Sequence, residues 1–333
     1  MKIITKYIIV ILVLGCIVSC KKTTNKDALS EGIHPVSYSF TNLSGIGLEK
    51  GVTRRDPSDV IFVDGIYYVY YTKVLGQSPG YWGDLWYATS VDGFAWKEQG
   101  QILGIGKKGK FDSQAVFTPN IIKATGNYYL FYTGVKPTPE RNDGVFENNS
   151  TTDITALGLA VSKNPYGPFK RINAEPILGV SEAPEKFDSF RIDDAALLFR
   201  NNKYYLYYKG RSRSHGKSGP GHTQMGVAIS NQPEGPYIKH GESLLDKSHE
   251  VLIWKQGNGV AALASISSTL EYSSTGLDFT TNKKSLKVEN RPFAPGGYRP
   301  DLTGAEANKL AWGISMVHNG ADSYLIRYDV KEE

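Results

Sequence analysis

The chain repeats itself. The run DPSDVIFVDGIYYVYYT begins at Asp56, and DDAALLFRNNKYYLYYKG answers it from Asp193. In both, a phenylalanine (Phe62, Phe199) stands six residues after the acid, and a tyrosine pair (Tyr67 and Tyr68, Tyr204 and Tyr205) stands at eleven and twelve. A third copy, EVLIWKQGNGVAALASI, opens at Glu250 and places Gly259 nine residues on, as Gly65 is from Asp56. Repetition constrains a fold more than local propensity does. Each copy must be one supersecondary unit that buries its apolar face against its neighbours.

Each unit reads as antiparallel strands. Tyr-, Val- and Leu-rich runs at Tyr67–Thr72, Tyr128–Thr133 and Tyr204–Lys209 follow turn dipeptides, Asp64-Gly65, Gly126-Asn127 and Asn201-Asn202. Asp-Gly is a strong hairpin signal because both central residues of the tight turn need positive φ. A small-residue strand, a Pro/Gly turn and an aromatic strand then recur as LWYATSVDGFAWKEQ, LGLAVSKNPYGPFKRI, MGVAISNQPEGPYIKH and LEYSSTGLDFT. A weaker fifth unit runs from Tyr298 through ADSYLIRYDV, with Asp301 near the acidic position. No amphipathic helix is legible after the N-terminal segment. Units of about fifty residues with about four strands each predict an all-β chain, a five-bladed β-propeller over residues 37–333. A β-sandwich does not call for the repeated register.

Residues 1–19 read as a separate targeting segment. Lys2 and Lys6 precede an apolar run, Ile8 to Val18, that is short for a bilayer span. The run ends Ile17-Val18-Ser19-Cys20, which resembles a bacterial lipobox and predicts a lipidated Cys20. Residues 20–36 are then the anchor and a polar tether, and the expected location is the periplasm or outer-membrane surface of a Gram-negative bacterium. Cys16 leaves with the signal, so no thiol is left for a disulfide or metal site. Removal of Lys2 and Lys6 lowers the net charge from +5 to +3, too small an imbalance to indicate nucleic acid. Much of the aromatic content, 21 tyrosines and 5 tryptophans, fits the core of the repeats, and the surplus also suits a sugar ligand, whose CH-rich faces stack on aromatic rings.

In a closed array the innermost strands line a central channel, so acids repeated at their starts converge at one mouth. Asp56, Asp193 and Glu250 would then share a funnel. Glycosidic hydrolysis needs an acid for the leaving oxygen and a carboxylate to activate water or attack carbon. Carboxyls roughly 6.5–9.5 Å apart leave room for the water and invert configuration. A third carboxylate nearby raises the pKa of the acid.

The register of Asp56, Asp193 and Glu250 resembles the five-bladed glycoside hydrolases of families 43 and 32. The strings TRRDPSDVIF, FDSQAVFTPNII, NNSTTDITALGLAV, FRIDDAALLF and SHEVLIW are similar, in that order, to glycoside hydrolase family 117, across about Gly51 to Phe279. That family is known for α-1,3-(3,6-anhydro-L-galactosidase) activity, an inverting exo-hydrolysis of neoagaro-oligosaccharides. The resemblance implies that Asp56 is the general base. It implies that Asp193, beside Asp194, orients the sugar and tunes pKa, and that His249-Glu250 is the acid end with histidine as donor. Adjacent residues on a regular strand face opposite ways, so both reach the funnel if the strand starts there. Otherwise Glu250 is the acid and His249 is structural. Next to Glu250, an imidazolium is expected to be favoured.

Further binding candidates are Arg55, which with Arg54 precedes the base, and Thr118 and Asn120, in the second unit at the register of Asp56. Gln114, Trp82 (with Trp86 and Trp254 as other stacking candidates) and His215 in the basic, Gly-rich run Arg211–His222 complete the set. Hydrolysis requires no organic cofactor and no metal-ligand set is legible, although a channel of this kind has room for a divalent cation. The expected partners are an oligosaccharide and, through the anchor, a membrane. Family members often swap an N-terminal helical segment between subunits. The stretch after Cys20 is short and helix-poor for that, which leaves a homodimer open. Two other readings fit the same residues: a phosphorylase or family-43-like glycosidase acting on another glycan, with the 211–222 run holding phosphate, and a non-catalytic sugar-binding lipoprotein.

Overall fold

The first strand among the described residues closes the last group of the fold. In the computed structural model, which describes residues 32–75, 83–136, 154–279, 285–299, 309–319 and 322–333, β1 (Val36–Asn42) pairs antiparallel with β21 (Tyr324–Glu332). The strands between them form successive antiparallel groups. The first holds β2 (Val52–Arg55), β3 (Val60–Val63), β4 (Ile66–Leu75), β5 (Asp84–Ser90) and β6 (Trp96–Leu103). The second holds β7 (Ala115–Ala124), β8 (Asn127–Lys136), β9 (Ile154–Ser162) and β10 (Lys170–Arg171). The third holds β11 (Arg191–Arg200), β12 (Lys203–Arg211), β13 (Gln224–Ser230) and β14 (Ile238–Lys239). The fourth holds β15 (Val251–Gln256), β16 (Gly259–Ala264), β17 (Thr269–Ser273) and β18 (Leu286–Lys287). The last joins β19 (Phe293–Arg299) and β20 (Trp312–Val317) to β21 and β1.

The second, third and fourth groups are separate four-stranded sheets. The first and last merge because β19 runs parallel to β3 for two residue pairs, Tyr298 with Val60 and Arg299 with Ile61. Asp59 secures this junction. It accepts from Arg299 Nε at 2.5 Å and from the Gly297 amide at 2.8 Å, while Arg299 also donates to the Ile253 carbonyl. The fold is all-β and of propeller type. The sole helical stretch among the described residues is a kinked 3-10 segment, Arg213–His222.

Turn chemistry explains the hairpins. Asp64-Gly65, Thr125-Gly126 and Asn201-Asn202 all have positive φ at both residues, the two-residue turn that matches strand twist. The second turn therefore lies one residue earlier than the expected Gly126-Asn127. Asn127 already begins β8.

Five apolar clusters each straddle two groups. One packs Leu130 and Tyr132 of β8 against Tyr70 and Leu85 of the first group. Others join the second group to the third, the third to the fourth, the fourth to the last, and the last to the first. Tyrosine hydroxyls repeat the link. Tyr70 donates to the Pro165 carbonyl at 2.5 Å, Tyr129 to Glu234 at 2.5 Å and Tyr207 to the Gly276 carbonyl at 2.9 Å. Each ring belongs to the strand that pairs with the inner strand of its group (β4, β8 and β12) and reaches the outer turn of the next. Buried hydroxyls need such partners, so the tyrosine count follows largely from packing.

Candidate active site

The inner strands carry the same irregularity. On β7, Phe117 faces Thr133 and Asn120 faces Phe131; on β11, Asp193 faces Lys209 and Ala196 faces Tyr207; on β19, Phe293 faces Met316 and Gly296 faces Ile314. One extra residue is accommodated in each, as in a β-bulge, which re-aims the neighbouring side chains. In the first group Arg55 faces Thr72, and the Ser58 amide bonds the Tyr70 carbonyl at 2.7 Å, the same offset. The residue at the bulge is left-handed every time: Asp56 at φ 50°, Thr118 at 44°, Asp194 at 52° and Ala294 at 41°. None is glycine, and strain of this kind costs on the order of 1–3 kcal/mol per residue and gathers at functional sites.

This register corrects the alignment read from sequence. Asp194, not Asp193, occupies the position of Asp56. The count of six residues to Phe62 and Phe199 misleads because the first group has one more residue between acid and turn. Ser58 opposes Tyr70 but Ile61 opposes Tyr68, and the surplus falls where Asp59 turns aside to Arg299. Thr118 shares the position of Asp56, whereas Asn120 lies two residues on, level with Ser58.

Two tiers of side chains result, and both line one cavity with about 860 Å³ of empty space open to solvent. Arg55, Phe117, Asp193, His249 and Phe293 form one tier; Asp56, Thr118, Asp194, Glu250 and Ala294 form the other. The second tier also borders a smaller hollow of about 330 Å³, shared with Pro57, Pro119, Asn120, Ala195, Val251 and Pro295 one or two residues along each strand. His249 and Glu250 both face the cavity because β15 begins at Val251, so the expected strand start is present. The Ser265 hydroxyl holds both backbone amides, at 2.8 and 3.0 Å.

Cations are interleaved with the acids. Arg55 Nε bonds Asp56 Oδ2 at 2.8 Å. Lys209 Nζ lies 3.0 Å from Asp193 and 2.7 Å from Asp194, and Arg191 lies 3.8 Å from Asp193. Arg291 Nη1 is 3.7 Å from Glu250 Oε2, an oxygen that receives no hydrogen bond from protein. Burial, with the charges of Asp193 and Asp56 and against the pull of Lys209, pushes the Asp194 carboxyl up to about 7. For Glu250 burial acts upward, but His249, Arg291, Ser265 and Lys209 outweigh it, and its carboxyl sits below the ordinary range.

The histidine does not behave as expected from its neighbour. The Lys209 charge, with burial, depresses His249 to about 4 against the opposing effect of Glu250 and Asp193. The free site therefore holds a neutral imidazole at neutral pH. Its Nδ1 lies 3.3 Å from both the Pro220 carbonyl and the Thr223 hydroxyl.

Among the other candidates, Arg55 and Thr118 line the large cavity, and Asn120 lines the smaller one. Gln114 and His215 line neither. The Gln114 backbone N–H donates to the Val135 carbonyl, and His215 stacks on His222 at 4.4 Å. In the 211–222 run, Arg211 bonds the Gly216 carbonyl within the run and Arg213 bonds the Ser189 carbonyl outside it. Arg54 serves Glu49 and Glu98, away from the cavity. Trp86 packs in the core beneath Lys73, and Trp254 is buried against the last group. Trp82, Cys20 and Asp301 lie outside the described residues. Lys209, Arg291, Phe293 and His318 went unnoticed in the sequence. Hairpin counting from Asn201-Asn202 would have set Lys209 opposite the paired aspartates. Among the described residues no group of three or more His, Asp or Glu is arranged to hold a metal ion.

Solved structures share the fold. Zg3597, a family 117 glycoside hydrolase from the marine bacterium Zobellia galactanivorans, is 24% identical with a TM-score of 0.74, over 89% of this chain and 90% of that one. The Bombyx mori GH32 β-fructofuranosidase BmSUC1 is 12% identical with a TM-score of 0.60, over 88% of this chain and 61% of that one. Sucrose-6-phosphate hydrolase from Lactobacillus gasseri is 12% identical with a TM-score of 0.61, over 92% of this chain and 62% of that one. Among curated proteins none matches the sequence. A carboxyl-lined cavity at the inner strands of such a scaffold defines the protein as a glycoside hydrolase. The family described as glycosyl hydrolases family 32 N-terminal domain matches residues 52–219, about half of the chain, and the chain belongs to that family.

Proposed function

We propose that the protein is an exo-acting, inverting glycosidase that removes a terminal 3,6-anhydrogalactose-type sugar from agar-type oligosaccharides. The observation that carries this reading is the meeting of Asp56, Asp194 and Glu250, from three separate groups of strands, in one sugar-sized cavity. Asp56, held beside Arg55, is the base that activates water. Asp194 holds a proton near neutral pH and supplies it to the leaving oxygen, while the neutral His249 and the ionised Glu250 line the same cavity. Asp193 shares Lys209 with Asp194 and so positions it. A hollow surrounded by inner-strand residues admits a chain end more readily than a chain middle. The fold shared with a family 117 enzyme of a marine bacterium supports the substrate class.

The scaffold reading is five blades, with β1 on β21 completing the last; the five inter-group clusters support it. Lipidation at Cys20, with a location at the periplasm or outer-membrane surface, is the companion proposal from the Ile17–Cys20 string. The test is incubation of the protein from residue 21 onward with red-algal oligosaccharides, with the released sugar and its anomeric form read by proton NMR. One monosaccharide, released first as the inverted anomer, is expected. Internal cleavage products, or retention of configuration, would overturn the proposal. Phosphate-dependent turnover would convert it to a phosphorylase.

A further inference from the structure

We infer that Phe293 is the platform on which the CH-rich face of the substrate's sugar ring stacks, with His318 at its edge; this rests on the reading of the cavity as a glycosidase site. Phe117 and Phe293 hold the same position in their strands, each just before a left-handed residue, and both line the cavity. Their burial differs. Phe117 is 3% exposed and packs with Ala115 and Val135, whereas Phe293 is 46% exposed and belongs to no core cluster. An aromatic ring presented at the wall of a polar cavity forfeits the burial that its counterpart obtains.

The ring is nonetheless held in place. The Arg291 guanidinium lies over it, 4.5 Å from the centroid, and His318 meets it nearly edge-on at 6.3 Å and 73°. The Ala294 backbone at φ 41° sets its direction. Arg291 also reaches to within 3.7 Å of Glu250, so one side chain links the aromatic wall to an acid of the site. A pyranose suits this arrangement, with carbons against the ring and hydroxyls toward the carboxylates and Lys209. Trp86 and Trp254, the other aromatic candidates described, are occupied in the core.

The experiment is calorimetry with neoagarobiose and neoagarotetraose on the Asp56→Asn protein, with and without Phe293→Ala or Phe293→Tyr. In parallel, hydrolysis of the same sugars is followed with Asp56 intact. Loss of the platform is expected to weaken binding about tenfold and to raise KM more than it lowers kcat. The tyrosine variant should bind nearly as the parent does, and all the proteins should melt alike because the ring is half exposed. Equal affinity in the alanine variant overturns the inference, as does a parent that binds neither sugar, or a loss accompanied by a lower Tm that tyrosine does not restore. Hydrolysis with a KM indifferent to Phe293 removes the platform and leaves the glycosidase reading. Phe293-dependent binding without hydrolysis removes the hydrolase reading and leaves the platform.

Discussion

Asp112 and Asp188 differ instructively from Asp56 and Asp194. The first pair belongs to a second repeat, Lys-Phe-Asp-Ser at 110–113 and 186–189. Each is 1% exposed and has two partners within hydrogen-bonding distance. Asp112 accepts from Tyr132 at 2.9 Å and Arg171 at 2.6 Å, and Asp188 pairs with Tyr208 at 2.9 Å and Lys239 at 2.6 Å. The preceding Phe111 and Phe187 stack on those tyrosines at 6.1 and 5.9 Å. Gly134 and Gly210 make room, since a Cβ at either would lie 2.6 or 2.4 Å from a phenylalanine ring atom. On each of these carboxylates a tyrosine and a cation share Oδ2, away from solvent. The cavity pair has one cation each at hydrogen-bonding distance, a strained backbone and open space in front. Repetition alone does not mark function. Incomplete satisfaction beside a cavity does.

The contrast can be broken by mutation, and the largest effect is expected at the base. Asp56→Asn should lower kcat by about 10³-fold while the melting curve stays near the parent's; an active variant would remove Asp56 from the chemistry. Asp188→Asn should do the opposite. Leaving Lys239 without its partner is expected to cost about 3 kcal/mol in urea unfolding, with kcat per folded molecule unchanged. If both variants lose activity without losing stability, the division between the two pairs fails.

Asp194 sharpens the comparison through pH. Its folded-state pKa of about 7 lies above the ordinary 3.8, so the folded protein retains a proton that the unfolded chain has already released. Between about pH 4 and 7 this group makes the protein less stable as pH rises. Asp194→Asn should therefore raise Tm at pH 8, leave it unchanged at pH 3, and remove an alkaline limb near pH 7 from the profile of kcat/KM. Lys209→Met should move that limb upward, because the ammonium opposes the rise of Asp194. A limb that ignores both substitutions belongs to another group. The smallest effect is expected between groups: Tyr207→Phe removes the bond to the Gly276 carbonyl and should cost about 1 kcal/mol with no change in kcat.

Much of the fold was legible because its signals are local. Asp64-Gly65 and Asn201-Asn202 required left-handed turns wherever they sat in space, and Phe62 and Phe199 do hold equivalent positions, opposite Tyr67 and Tyr204. The start of β15 just after Glu250 was one of two alternatives open in the sequence, and it is the one that brings both neighbours to the cavity. The site was less legible. Sequence counting cannot register a bulge, and the surplus residue near Asp59 shifted the match from Asp194 to Asp193. It also could not anticipate Lys209, whose charge overrides that of the adjacent Glu250 at His249.

From its residues alone, then, the chain dictated hairpins, repeat length and the kinds of groups available for chemistry, since turn φ angles and strand alternation act over a few positions. The tertiary structure decided which of those groups meet. Side chains one residue apart on a regular strand point to opposite sides, so a single-residue bulge decides which of two neighbouring aspartates shares the position of Asp56 and lets both reach the cavity. Coulomb interactions depend on distance in space, so Lys209, forty residues away along the chain, outweighs the nearest neighbour of His249.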